Sequence, residues 1–184
     1  MNEHTASTMS SAADPADSAA TAATTAASSA NSTVIAASAA PFAGSDADRA
    51  GVLAALDRIR AAWDAGDASD YAAEFTDDAS YVIFAGMHDL GRDAIRRTHV
   101  PVFDKWQRGS RMSMRVLDLR FIAPDVAVVV TDGGIGKRAR IRHDKMQTFV
   151  MVRDGEGWRC AAFQNTKKHR LFIAMNRMAD PRPR

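Results

Sequence analysis

The spacing of apolar side chains changes period once, near Gly109, and that change constrains the fold more than any other feature. Before it, Val52, Leu56, Ile59 and Trp63 fall at i, i+4, i+7 and i+11, one stripe of a helix. After it, the chain alternates with period two from Met112 to Ile122, turns at Pro124-Asp125 and resumes as a valine-rich run. Helices followed by hairpin-linked strands predict an α+β domain, with the helices segregated to one side of a curved antiparallel sheet.

Local signals place the elements. A first helix is expected from Asp46 to Ala65, with Asp46 and Asp48 suiting its positive N-terminus and Gly66 stopping it. Asp67 can cap a second short helix through Glu74 that buries Tyr71 and Phe75. A strand from Ala79 to Phe84 and a loop from Gly86 to Gly91 follow. Ile95, His99, Val102 and Trp106 repeat at helical spacing, so a third helix covers about Arg92 to Gln107. Pro101 sits inside it and leaves the carbonyl near Arg97 without its donor, which predicts a kink or a break. Strands are expected at Met112–Ile122, Val126–Gly136, Arg138–Arg153 and Trp158–Thr166, the last pair joined by Gly155-Glu156-Gly157. Leu171 to Met178 reads as a short amphipathic helix or a strand packing on a partner.

Residues 1–45 are rich in Ala, Ser and Thr and nearly free of large apolar side chains, so a disordered tail is expected there. The domain then spans 46–170, and 171–184 form a C-terminal extension. Residues 1–48 hold five acids and no Lys or Arg. All 24 basic residues and 17 of the 22 acids therefore lie beyond, a net +7. Such a surface favours an anionic partner, but the basic segment lacks the interleaved aromatics of a nucleic-acid site. Cys160 is the only cysteine, which excludes an intrachain disulfide and suggests a reducing compartment. No apolar run approaches the roughly 20 residues of a membrane span, and no secretory leader is evident, so a cytoplasmic protein is expected.

The helix ending Ala62-Trp63-Asp64-Ala65-Gly66-Asp67, the turn Phe75-Thr76-Asp77-Asp78-Ala79 and the run Gly91-Arg92-Asp93-Ala94-Ile95 form a recognisable set. The closing Gly157-Trp158-Arg159 and Phe163-Gln164-Asn165-Thr166 complete it. Over about residues 47–168 the chain resembles the cone-shaped fold of nuclear transport factor 2 (the NTF2-like fold) and its SnoaL-like polyketide-cyclase relatives. Its closing strand resembles the SgcJ/EcaC-type branch, found beside biosynthetic genes. The resemblance implies an apolar cavity between the sheet and three N-terminal helices, and homodimerisation through the sheet. Its members include isomerases, aldol-type cyclases, epoxide hydrolases and pure binding domains. Phe149 and Phe163, out of phase with the implied cavity side, would then serve the dimer face.

Candidate site residues follow from that cavity. Gln164 is in phase with Trp158, Cys160 and Ala162, and the resemblance puts that face against the helices. Gln164 is either a hydrogen-bonding group for a ligand or a structural amide, since an amide cannot titrate. Asn165 follows it, and strand alternation, which puts it opposite Gln164, places it at the cavity lip. Asp132 is in phase with Val126, Val128 and Val130. It is either a cavity carboxylate with a raised pKa or an ordinary turn residue before Gly133-Gly134. His99 on the third helix is either a satisfied core histidine or a pocket acid/base. With His99 and Asp132 as the titrating pair, Trp63, Tyr81, Phe103, Gln164 and Asn165 are the expected substrate contacts. Neither a metal-ligand spacing nor a nucleotide fingerprint is present, so no cofactor is expected. Arg138 and Arg140 alternate along the expected third strand as an edge-protecting face or a docking site for an acidic acyl carrier protein. The function expected is cofactor-free cyclisation or isomerisation of a polyketide-like intermediate. The competing expectation is a non-catalytic ligand-binding or association module.

Overall fold

Ser45 starts the first helix. Its hydroxyl accepts the Asp48 amide at 3.1 Å, and Gly66, in the left-handed conformation at φ 70°, ends it, so α1 spans Asp46–Ala65. Asp67 accepts the amides of Ser69 and Asp70 at 2.7 and 3.0 Å and caps α2, Ala68–Ala73. The computed structural model describes residues 42–155 and 157–179. The expected tail lies outside the described residues except for its last few positions.

Next come β1 (Phe75–Val82), β2 (His88–Leu90) and α3 (Arg92–Pro101). Pro101 changes the helix instead of ending it. Val102–Trp106 continue as a π-helical turn, closed by the Gln107 amide donating to the Val102 carbonyl at 2.7 Å. The missing proline amide breaks the ladder at that point, and the wider turn restores hydrogen bonding one residue later. The meander follows as β3 (Arg111–Ala123), β4 (Val126–Gly136), β5 (Lys145–Asp154) and β6 (Gly157–Lys167), and then α4 (Arg170–Ala179). The C-terminal segment is thus the helix of the two alternatives. Of its large apolar side chains, Leu171, Phe172, Met175 and Met178 are exposed and Ile173 is half-buried.

The strands form one curved, unclosed sheet in the order β2-β1-β6-β5-β4-β3. The expected antiparallel sheet is mixed, because β1 pairs with β6 in parallel. The connection between those two strands runs through α3 and most of the meander, so no short turn forces them to oppose. Three register shifts bend the meander, one of them at Ile122 beside the β3–β4 turn. A second leaves Leu117 unpaired between Val116↔Thr131 and Asp118↔Val130. The third leaves Ala161 unpaired between Val150↔Ala162 and Met151↔Cys160.

The Ala161 bulge reverses the facing of the closing strand. Trp158 and Cys160 point to the helices as expected, but beyond the bulge Phe163 and Asn165 take that side and Gln164 is exposed. A second correction concerns the expected third strand. It begins at Lys145, not Arg138, because 137–144 form the loop that reverses the chain between β4 and β5. Arg138 and Arg140 therefore share no strand face.

Between the helices and the sheet lies an aromatic core. Trp63 packs edge-on to Tyr71 and Phe103, at 5.5 and 5.0 Å between ring centroids. Phe163 stacks on Tyr81 at 4.7 Å and touches Phe149 at 4.9 Å. Phe149 and Phe163 are therefore core residues and not an external dimer face. Among the described residues no helix is long and apolar enough to cross a membrane.

Candidate functional site

A cavity of about 320 Å³ opens between the sheet, the end of α1, α2, α3 and the π-helical turn. Trp63, Val102, Met112 and Phe163 contribute apolar wall, and Ile83, Phe84 and Met87 line it from the β1–β2 turn. This size sits at the lower end of ligand pockets, which run from about 300 to 1,000 Å³.

Three polar groups meet inside it. The His99 Nδ1 lies 2.8 Å from the Ile95 carbonyl, one turn back on α3. A carbonyl only accepts, so Nδ1 carries the proton and Nε2 of the neutral ring presents its lone pair. The Tyr81 hydroxyl is 3.3 Å from that Nε2 and 3.0 Å from the Tyr71 hydroxyl. With Tyr81 donating to His99, Tyr71 donates to Tyr81, which gives a relay of fixed polarity. Pro101 frees the Arg97 carbonyl, but His99 reaches Ile95 instead, the carbonyl four residues back on its own helix face.

Burial decides the protonation states. It lowers the pKa of His99, against the opposing pull of the Ile95 carbonyl and Asp89, so the ring favours the neutral form. Burial also pushes both phenols well above their ordinary value, and each stays a hydrogen-bond donor at neutral pH. A neutral imidazole beside two permanent donors can accept a proton and stabilise negative charge developing on an oxygen.

Other polar groups surround these. Asp89, on β2, accepts from the Thr98 hydroxyl at 2.9 Å, and both residues line the cavity. Asn165 accepts the Phe84 amide at 2.8 Å through Oδ1, and its amide nitrogen remains a donor. Gln147 accepts from Thr131 at 2.9 Å and is likewise left with donor capacity. The Trp63 indole N–H is taken by Ser110 at 3.1 Å, so Trp63 acts as wall.

Of the residues expected from sequence, His99, Tyr81, Trp63 and Asn165 come together in the cavity. Phe103 is buried behind it, against Trp63 and His99, and does not line it. Gln164 is excluded by the bulge. Asp132 is displaced as well. It does share a face with Val126, Val128 and Val130, but Ala127, Val129 and Thr131 hold the helix side, so Asp132 lies on the opposite face. There it pairs with Arg115 at 2.9 Å and with Lys168, and His143 stands 3.7 Å away. Burial would raise its pKa, but Lys168, Arg115 and His143 outweigh that and hold the carboxyl below its ordinary value. The expected raised pKa is thereby reversed. Tyr71, Thr98, Asp89 and Gln147 join the site without having been singled out for it. Gln147 is in phase with Phe149 and Met151, a signal that the sequence does contain. Asp89 sits on a three-residue edge strand that no periodicity reveals.

A family model for the SnoaL-like domain matches residues 52–164, more than half of the chain. The chain belongs to the SnoaL-like family. No curated protein matches it significantly. Solved structures share the fold. A domain of unknown function with a cystatin-like fold from Nostoc punctiforme is 25% identical, with a TM-score of 0.63 over 73% of this chain and 88% of that one. A scytalone dehydratase candidate from Novosphingobium aromaticivorans is 15% identical, with a TM-score of 0.57 over 66% and 85%. A ketosteroid isomerase-like protein from Erwinia carotovora atroseptica is 19% identical, with a TM-score of 0.53 over 67% and 98%. At these identities the last two carry the fold alone. For this SnoaL-like chain the chemistry has to be argued from its own cavity.

Proposed function

We propose that the protein binds an apolar, ring-containing small molecule with one carbonyl or hydroxyl group, and moves a proton to or from it at His99. The observation that carries this reading is the His99 Nε2 lone pair, fixed by the Nδ1–Ile95 bond and bridged at 3.3 Å by the Tyr81 hydroxyl inside a largely apolar cavity. A ligand oxygen displacing the long Tyr81–His99 contact would accept from Tyr81, whose oxygen in turn accepts from Tyr71, and a carbon acid beside it would meet the base. Enolisation of a ketone is the simplest reaction that such a set supports, and cyclisation or isomerisation of a polyketide-like intermediate would use it. The reading requires no cofactor. It fits a cytoplasmic protein of secondary metabolism, in or near the SgcJ/EcaC-type branch.

The test needs no knowledge of the natural substrate. Incubating the protein with 2-tetralone in deuterated water and following loss of its α-proton signals by NMR reports enolisation. Exchange above the buffer rate that disappears in His99→Gln and weakens in Tyr81→Phe supports the reading. Exchange that is equal in wild type and His99→Gln refutes it.

The displacement of Asp132 favours a second reading, a ligand-binding module without turnover, because it removes one of the two titrating groups expected in the cavity. That reading predicts ligand binding without exchange. Two associations complete the proposal. The half-buried valines Val128, Val130, Val150 and Val152 on the outer sheet face suit a homodimer interface, which sedimentation would test. Arg138 and Arg140, in the exposed 137–144 loop, suit an acidic carrier protein. Charge reversal at Arg138 should weaken that association in a salt-dependent manner.

A further inference from the structure

On the outer face of the sheet, three separate fastenings draw arginines from two elements to one place. Gly134 lets the 137–144 loop lie against β4, because a Cβ at that position would come within 2.0 Å of the Arg142 carbonyl. The Lys168 amide donates to the Asp144 carbonyl at 2.8 Å and ties the end of the loop to the start of the C-terminal segment. Ser113 holds the His143 ring at 2.8 Å from Nε2, with Asp132 on its other side. Arg140, Arg142 and His143 of the loop and Arg170 of α4 then line a common hollow of about 520 Å³.

Charge around that hollow is unbalanced. Of the carboxylates beside it, Asp132 is committed to Lys168 and Arg115, and Asp144 to Lys145. Arg140, Arg142 and Arg170 have no ion-pair partner among the described residues, whereas Arg58, Arg92, Arg153 and Arg159 each have one. The order Ser113–His143–Asp132 has the sequence of a nucleophile, base and orienting carboxylate. However, the 3.7 Å gap to Asp132 is too long for a hydrogen bond, and two cations already neutralise that carboxylate. The Ser113 bond instead positions His143 at the wall of the hollow.

We propose that this hollow is a binding site for a small molecule bearing a phosphate-type oxyanion, separate from the aromatic cavity. Guanidinium groups bind such oxygens through paired, charge-assisted hydrogen bonds, and several converging on one concave surface distinguish a phosphate from a simple halide. The site stands independently of the chemistry at His99; of the two arginines proposed for carrier docking, Arg140 lines it and Arg138 does not.

Calorimetric titration of the full chain with inorganic pyrophosphate, at constant ionic strength set with chloride, tests the site. Saturable binding is expected, weakened at least about tenfold by Arg140→Gln or Arg142→Gln, the loss of one bidentate contact. Arg120→Gln, which removes an exposed arginine paired with Asp118 elsewhere on the sheet, should leave binding unchanged. Gly134→Ala displaces the loop and should also weaken binding. Absence of saturable binding, or affinities in Arg140→Gln and Arg142→Gln within twofold of Arg120→Gln, would overturn the proposal.

Discussion

Replacing Phe163 and Gln164 one at a time separates the two possible facings of the closing strand. In the structure Phe163 is 4% exposed, wedged between Tyr81 at 4.7 Å and Phe149 at 4.9 Å. Truncating a buried phenylalanine to alanine costs about 3–5 kcal/mol through lost transfer free energy and the cavity left behind. The void from Phe163→Ala opens into the existing cavity, where water can enter it, so about 3 kcal/mol is the appropriate figure. For a domain of this size that lowers Tm by roughly 10 °C. Gln164 is exposed, and Gln164→Ala should stay within about 0.5 kcal/mol of wild type. Urea titrations of the two variants, compared at equal protein concentration, measure both. A loss above about 2 kcal/mol in Gln164→Ala with less than about 1 kcal/mol in Phe163→Ala would refute the bulge and everything placed by it.

Two further perturbations probe the relay. Tyr81→Phe removes the acceptor of the Tyr71 hydroxyl and the donor to His99 Nε2, and two buried groups left in that state should cost about 1–3 kcal/mol in urea denaturation. An unchanged midpoint would mean that the hydroxyls are not bonded as described. Burial lowers the His99 pKa from its ordinary 6.5, so the native state binds this proton less readily than the unfolded chain. Its contribution to stability is therefore complete above pH 6.5 and declines as pH falls through that value toward the folded pKa. Between about pH 7.5 and 5.5 the wild type should lose more stability than His99→Gln, and parallel losses would contradict the assignment.

The sequence carries the layer order clearly, because helical stripes and strand alternation are local patterns that burial imposes directly. The Val52–Trp63 stripe, the Gly66 stop of α1, the Asp67 cap of α2 and the turn after Ala123 all appear where those patterns put them. Facing is less legible. β4 is apolar on both sides, so phase with its valines could not say which side meets the helices, and Asp132 went to the wrong one. One inserted residue, Ala161, exchanged the roles of Gln164 and Asn165, and nothing in an Ala-Ala pair announces a bulge. The parallel pairing of β1 with β6 joins segments about eighty residues apart and leaves no local trace. His99 and Tyr81 were identifiable as candidates. Their meeting depends on α3 lying over β1, which only the fold supplies.

The most direct test of the account is the state of the His99 ring in the folded protein at neutral pH. A long-range proton–nitrogen NMR spectrum distinguishes the two tautomers and reports each ring nitrogen separately. The account predicts protonated Nδ1 and unprotonated Nε2, with Nε2 shifting when 1-naphthol is titrated in and its hydroxyl takes the place of Tyr81. A ring protonated at Nε2, or an Nε2 signal indifferent to the naphthol while the ligand binds elsewhere, would contradict the assignment of His99 as the base of the cavity.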